Sequence, residues 1–71
     1  MDITMVCIDP SVNARKFWKA HVLGSTVHCS WGRIGKTEVQ QSFRFDGDVR
    51  AAVKYFHKKV NEKYGKGYER I

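Results

Sequence analysis

Trp31, Gly32 and Arg33 stand together in the chain, with Lys36 three residues further on and Arg15-Lys16 upstream. An indole presents a flat π surface on which any nucleobase can stack. A guanidinium presents a planar fork that matches phosphate oxygens. A glycine between the two lets a backbone approach closely. The chemistry of this set is capture of a polyanion, and its candidate binding residues are Trp31, Gly32, Arg33, Lys36, Arg15 and Lys16. A second set, His21, His28, Cys7 and Cys29, has the donor types of a zinc site or of a Cys–His nucleophile pair.

Which set is assembled depends on the elements that carry it. Residues 2–9 read as a strand with Ile3, Met5 and Cys7 alternating on one face, ended by the turn residues Asp9-Pro10-Ser11. Residues 15–23 and 26–32 flank Gly24-Ser25, the signature of a two-residue hairpin turn. Folding there sets Val22 against Val27, Ala20 against Cys29 and Trp18 against Trp31 on one apolar face. The other face pairs His21 with His28 and Lys19 with Ser30, so both strands agree on one register. The register also brings the Arg15–Trp18 end near the motif loop.

Residues 37–45 form a further strand, with Val39, Phe43 and Phe45 on one face and Glu38, Gln40, Ser42 and Arg44 on the other. For Cys29 and Phe43 to share a face, the connection near Arg33-Ile34-Gly35-Lys36 needs an odd residue count or a bulge. Gly35 suits the positive φ of such a loop. Residues 48–64 read as the helix, capped by Asp46 or Asp48. Its expected buried stripe is Val49, Ala52, Val53, Phe56 and Val60, with Arg50, Lys54, His57 and Asn61 beside it. Gly65 is the expected stop, with Lys63 in the last turn, and Tyr68–Ile71 the expected site of a short strand or an apolar anchor. The fold class that follows is α+β: a small twisted antiparallel sheet with one amphipathic helix packed on one face.

In this register the two histidines and Cys29 point to opposite faces, so no metal site is expected from them. No base, orienting carboxylate and oxyanion donor converge on either cysteine, and Asp46 and Asp48 fit capping better than acid–base work. A chain of 71 residues buries only about 60% of the surface its unfolded form exposes. That leaves little room for a deep dry cleft, and neither catalysis nor a cofactor is expected. The reading is of one domain over residues 1–71.

Thirteen Lys and Arg against seven acids make a net charge of +6, a field that attracts nucleic acid, although positive charge also serves solubility. Hydrophobic residues at 42% and charged residues at 28% are a globular balance. No stretch approaches the ~20 apolar residues of a membrane span, and MDITMVCIDP has no basic leader region. Cys7 and Cys29 do not make a disulfide framework. The expected location is the cytoplasm, in the bacterial cytoplasm or nucleoid, or the nucleus if the chain is a eukaryotic fragment, with no membrane partner.

Trp31-Gly32-Arg33-Ile34-Gly35, taken with Asn13 and Phe17-Trp18 upstream, the apolar hairpin, and a helix ending Lys63-Tyr64-Gly65-Lys66-Gly67-Tyr68, resembles the WGR domain over essentially the whole chain. The resemblance implies an antiparallel sheet with a helix on one side. It also implies binding to DNA breaks, the role of these domains in DNA-dependent poly(ADP-ribose) polymerases. There the motif Trp packs on a sugar or base at a strand end and the motif Arg contacts backbone and neighbouring domains, which would carry over to Trp31 and Arg33. With no catalytic or regulatory domain here, ADP-ribosylation does not carry over, and the chain looks more like the short bacterial WGR proteins.

Bland roles compete at several positions. Trp18 is expected in the core, and Trp31 either there or at a contact surface. Arg33 has Glu38 as a possible cross-strand partner, and Lys58 and Glu62 are spaced as a helix ion pair, with Arg50 and Lys54 on a solvated face. Three functions remain: a DNA module preferring ends or nicks, a protein-interaction or regulatory domain using the same Trp31/Arg33 surface, and a general RNA or single-strand binder.

Overall fold

Gly24, at φ 63°, and Ser25 turn the chain back on itself, and that turn sets the register of the sheet. A computed structural model describes residues 1–71. Strands β2 (Ala14–Leu23) and β3 (Thr26–Arg33) pair with Trp18 opposite Trp31, Ala20 opposite Cys29, Val22 opposite Val27 and His21 opposite His28. This is the register that the alternation requires. Strand β1 (Asp2–Asp9) pairs antiparallel with β2, setting Met5 opposite Trp18 and Ile3 opposite Ala20. A single 3₁₀ turn over Pro10–Val12, capped by the Asp9 carboxylate, joins them, and Asn13 takes the left-handed conformation that closes it.

Strand β4 (Val39–Arg44) pairs with β3, with Trp31 opposite Val39 and Val27 opposite Phe43. Seven residues, 32–38, separate the Trp31–Val39 pair, so the count is odd and Phe43 joins Cys29 on one face. The strand is shorter than the alternation of residues 37–45 suggests. Thr37 and Glu38 belong to the returning loop, and Phe45 donates its backbone N–H to Ser25 O and begins the turn into the helix. A two-residue strand, β5 (Glu69–Arg70), adds to the far edge against β1, giving the order β4-β3-β2-β1-β5.

Helix α1 (Val49–Gly65) crosses one face of this sheet. Asp48 is the N-cap, its carboxylate accepting from Ala51 N–H at 3.0 Å. Asp46 instead sits at φ 47° in the preceding turn beside Gly47. Gly47 N–H donates to Ser25 Oγ at 2.9 Å, which ties the helix start to the hairpin end of the sheet. Ala52, Phe56 and Val60 are the buried row, and they meet Met5, Trp18, Ala20, Val27 and Cys29 in one core. Val53 is half-buried and Val49 is 52% exposed, contrary to the expected stripe. Val49 has the right angle around the helix but lies in the first turn, at the end of the sheet, where little remains to pack on.

The helix stop is also different from the expected one. Gly65 is the last helical residue, and Gly67, at φ 91°, makes the left-handed reversal. Tyr68 N–H then reaches back to Lys63 O at 3.0 Å while the Tyr68 ring is buried in the core, the pairing of backbone closure and apolar contact that ends many helices. Tyr68 is thus the anchor and β5 the strand, whereas Ile71 remains 76% exposed. No helix is long and apolar enough to cross a membrane.

Candidate nucleic-acid interface

The β2–β3 ladder ends where the motif begins. Lys16 faces Arg33 across the two strands, Phe17 faces Gly32, and Ile34 N–H donates to Arg15 O at 2.9 Å. Lys36 N–H closes the following turn on Arg33 O at 3.0 Å, with Gly35 at φ 87°. Arg15, Lys16, Arg33 and Lys36 are therefore gathered at one end of the sheet, opposite the Gly24-Ser25 turn. All four are exposed, and none forms an ion pair. They do not share one face. Lys16 and Arg33 lie on the helix side with Trp18 and Trp31, while Arg15 and Phe17 lie on the open side.

Two like charges directly opposite one another are unfavourable in a sheet. Lys16 and Arg33 are such a pair, next to Trp31 and with no carboxylate against either. Glu38, the partner available to Arg33 on sequence spacing, is on the other face. It lies 3.8 Å from Lys19 Nζ and accepts from Gln40 Nε2 at 2.9 Å. That amide hydrogen bond, with Lys19 adding to it, holds the Glu38 carboxyl below its usual range.

Gly32 has a local role. A Cβ there would stand 3.3 Å from Thr37 O and 3.6 Å from Phe17 Cε1. The backbone that the missing side chain admits is the chain's own returning loop, which closes over the motif.

Trp18 is buried, 3% exposed, as a core residue. Trp31 does two things: it is half-buried against the core, and it lines a cleft between α1 and β3–β4. Trp18, Cys29, Phe43, Tyr55, Gln41, Lys59 and Lys63 line the rest of it. The Phe43 and Tyr55 rings are 4.9 Å apart and tilted by 41°. Lys59 Nζ lies 5.5 Å from the Tyr55 ring centre, and Lys63 Nζ lies 5.7 Å from that of Trp18 and 5.3 Å from that of Tyr68. Burial, with Lys66 and Lys59 nearby, pushes the Lys63 ammonium below its ordinary range. Burial pushes the Cys29 thiol up, against the pull of Lys59 and Lys63, and pushes the Tyr55 phenol up as well.

Sequence reasoning missed this cleft, and a signal for it was present. At about 100° per residue, Lys59 and Lys63 point to the same side of α1 as Phe56 and Val60. Cations on the sheet-facing side of a helix have to be accounted for by what they meet there. The helix ion pair also differs from expectation: Glu62 meets Lys59 at 3.5 Å rather than Lys58.

On the open face, Thr4, Lys19, His21, His28, Ser30, Gln40 and Ser42 line a shallow polar depression of about 480 Å³. His28 Nδ1 is 2.8 Å from Ser42 Oγ, and the His21 and His28 rings stack at 6.3 Å. Cys29 lies on the opposite side of the sheet, within the core.

A five-stranded antiparallel sheet with one helix, presenting cations and a half-buried Trp at one end, defines a small α+β binding module. The family model for the WGR domain matches residues 1–71, and the chain belongs to the WGR family. WGR domains are generally nucleic-acid-binding modules rather than catalytic domains. No match was found among curated proteins or among solved structures.

Proposed function

We propose that the protein binds duplex DNA at ends or nicks through the sheet end that carries Trp31 and Arg33. The observation that supports this most directly is the opposed pair Lys16 and Arg33, unpaired and adjacent to the half-buried Trp31. An arriving phosphate relieves the repulsion between the two cations and releases counterions from the DNA. The indole packs on the sugar or base that a strand end exposes, a surface that an intact stacked duplex does not offer. Arg15 on the other face and Lys36 in the turn extend the positive field around the end of the sheet, so that backbone on either side of a break is held. Gly32 keeps the returning loop close and so sets the direction of Arg33. The site of action in this reading is a reducing compartment, the cytoplasm or nucleoid, which suits two free cysteines.

The test is fluorescence anisotropy on a short labelled duplex at two salt concentrations. A 5′-phosphorylated open end is compared with the same duplex closed by hairpins at both ends. Tighter binding to the open end, weakening with salt, is the expected result. Equal binding to both leaves a basic nucleic-acid binder without end recognition, and no binding at low salt moves the Trp31/Arg33 surface to a protein partner.

A further inference from the structure

The two edges of the sheet are finished differently. On one side β5 pairs with the middle of β1, and Ile71 N–H donates to Thr4 O at 3.1 Å. On the other side β4 pairs with β3 alone, and α1 lies over β2 and β3 rather than over β4. Folded proteins blunt such edges with proline, lysine, a bulge or a cover, because bare backbone groups accept another strand. Val39–Arg44 has no proline and no lysine, and its pairing with β3 runs without a bulge.

Hydrogen bonding alternates along an antiparallel strand. Phe45 N–H reaches Ser25 O at the start of β3, so Val39, Gln41 and Phe43 turn their backbone groups the same way, towards β3. Glu38, Gln40, Ser42 and Arg44 therefore turn theirs outward. Two copies of this edge can pair antiparallel only where outward residues face outward residues. Centred on Gln41, the pairing sets Gln40 against Ser42, Val39 against Phe43 and Glu38 against Arg44, each of them twice. Side-chain faces agree as well. Val39 and Phe43 lie on the helix side with Trp31 and Val27, whereas Glu38 and Arg44 lie on the open side with Lys19 and Thr26. Val39, 52% exposed in one copy, gains an aromatic neighbour, and Arg44, which has no acidic partner, gains one. Neighbouring registers are worse. Centring on Gln40 sets Arg44 against Lys36, and centring on Ser42 sets Glu38 against Asp46, like charges in both cases.

We infer that β4 is a self-pairing edge through which two copies of the chain join, antiparallel and centred on Gln41, into one sheet of ten strands, twice the five of a single chain. Trp31 and Arg33 lie on β3, one strand in from the seam, and the two motif ends point in opposite directions. The pairing thus leaves the nucleic-acid surface free and holds whether or not that surface binds DNA. One strand pair is at the small end of protein interfaces, so the dimer is weak and depends on concentration.

The experiment is sedimentation equilibrium on the full chain from about 10 μM to about 1 mM, where the average mass is expected to rise from 8.2 kDa towards twice that value. Arg44→Glu sets acid against acid at both ends of the seam, and Glu38→Arg sets base against base. Each variant alone is expected to dimerise at least about fivefold more weakly than the parent. Mixed in equal amounts they meet with opposite charges at both ends, and the average mass is expected to recover. Gln40→Pro removes an outward N–H at a position where an edge strand tolerates proline, and is expected to be monomeric with its circular dichroism intact. A parent chain that stays monomeric at about 1 mM overturns the inference. A dimer that survives Gln40→Pro in folded protein overturns the assignment to β4. Single variants that dimerise like the parent, or a mixture that does not recover, overturn the register centred on Gln41. Should Gln40→Pro unfold, the mixture decides alone.

Discussion

Replacing Trp31 by alanine separates what the indole does for the fold from what it does for a ligand. Complete removal of a buried aromatic side chain costs about 3–5 kcal/mol. Trp31 is half-buried, one side on the core and the other on the cleft, so about 2 kcal/mol is the expected loss. A 71-residue chain has a total stability of about 4–10 kcal/mol, which leaves the variant folded at 25 °C. Each kcal/mol lowers the melting temperature of a chain this size by about 4–8 °C, so a fall of about 8–16 °C is expected by circular dichroism. Binding should suffer separately. Loss of an aromatic platform weakens single-base stacking by about 1–3 kcal/mol, or about 5- to 150-fold in affinity for an open-ended duplex. Trp18→Ala is the control. Trp18 is 3% exposed and sits opposite Trp31 in the same ladder, so the full 3–5 kcal/mol applies and the fold is brought close to its limit. Anisotropy and thermal melts on both variants decide the matter. A Trp31→Ala protein that is unfolded at 25 °C, or one that is folded and binds the duplex as tightly as the parent, refutes the division of labour argued here.

If Arg33 holds a phosphate as proposed, Arg33→Gln should lower the slope of log affinity against log salt by about 1 across all duplexes, with little change in melting temperature. Gly32→Ala places a methyl group 3.3 Å from Thr37 O, and the displaced loop should cost about 1–3 kcal/mol in urea unfolding and lower duplex affinity as well; an unchanged midpoint would mean that the loop gives way freely. Iodoacetamide should modify Cys7 well before Cys29, because Cys29 is buried and its thiol is held in the protonated form, and mass spectrometry of partly labelled protein would show the order. Lys63 binds its proton less tightly in the folded than in the unfolded chain, so its charge subtracts from stability at neutral pH and that loss fades as pH rises through the folded pKa towards 10.5. Lys63→Met is therefore expected to be at least as stable as the parent at pH 7, with the gap narrowing by pH 10 in parallel denaturant titrations.

What the sequence by itself determined is the part of the protein governed by short-range rules. The side-chain period of two leaves one register for β2 and β3 once Gly24-Ser25 is the turn, because a slip by one residue would move Trp18, Ala20, Val27 and Cys29 from the core to solvent. The same parity put Phe43 with Cys29 and so required the odd connection that the Arg33–Glu38 loop supplies. Lys16 and Arg33 face each other for the same reason, and the cluster around Trp31 could be assembled on paper.

Tertiary structure decided whatever depends on where an element ends or what packs against it. Period alone does not say that the first turn of α1 lies at the end of the sheet, and Val49 is consequently exposed. Gly65 and Gly67 are equally able to end a helix; burial of Tyr68 selects Gly67, because only that reversal sends the ring into the core. Alternation put Glu38 on the open face, and packing decided the cation it meets there, Lys19 at 3.8 Å rather than Arg33. The cleft belongs wholly to this level. Its walls come from β3, β4 and α1, and Lys59 and Lys63 reach it only when the helix axis is laid across the sheet. Local pattern sets which way a side chain faces along its own element; only the packing of one element on another determines what it faces.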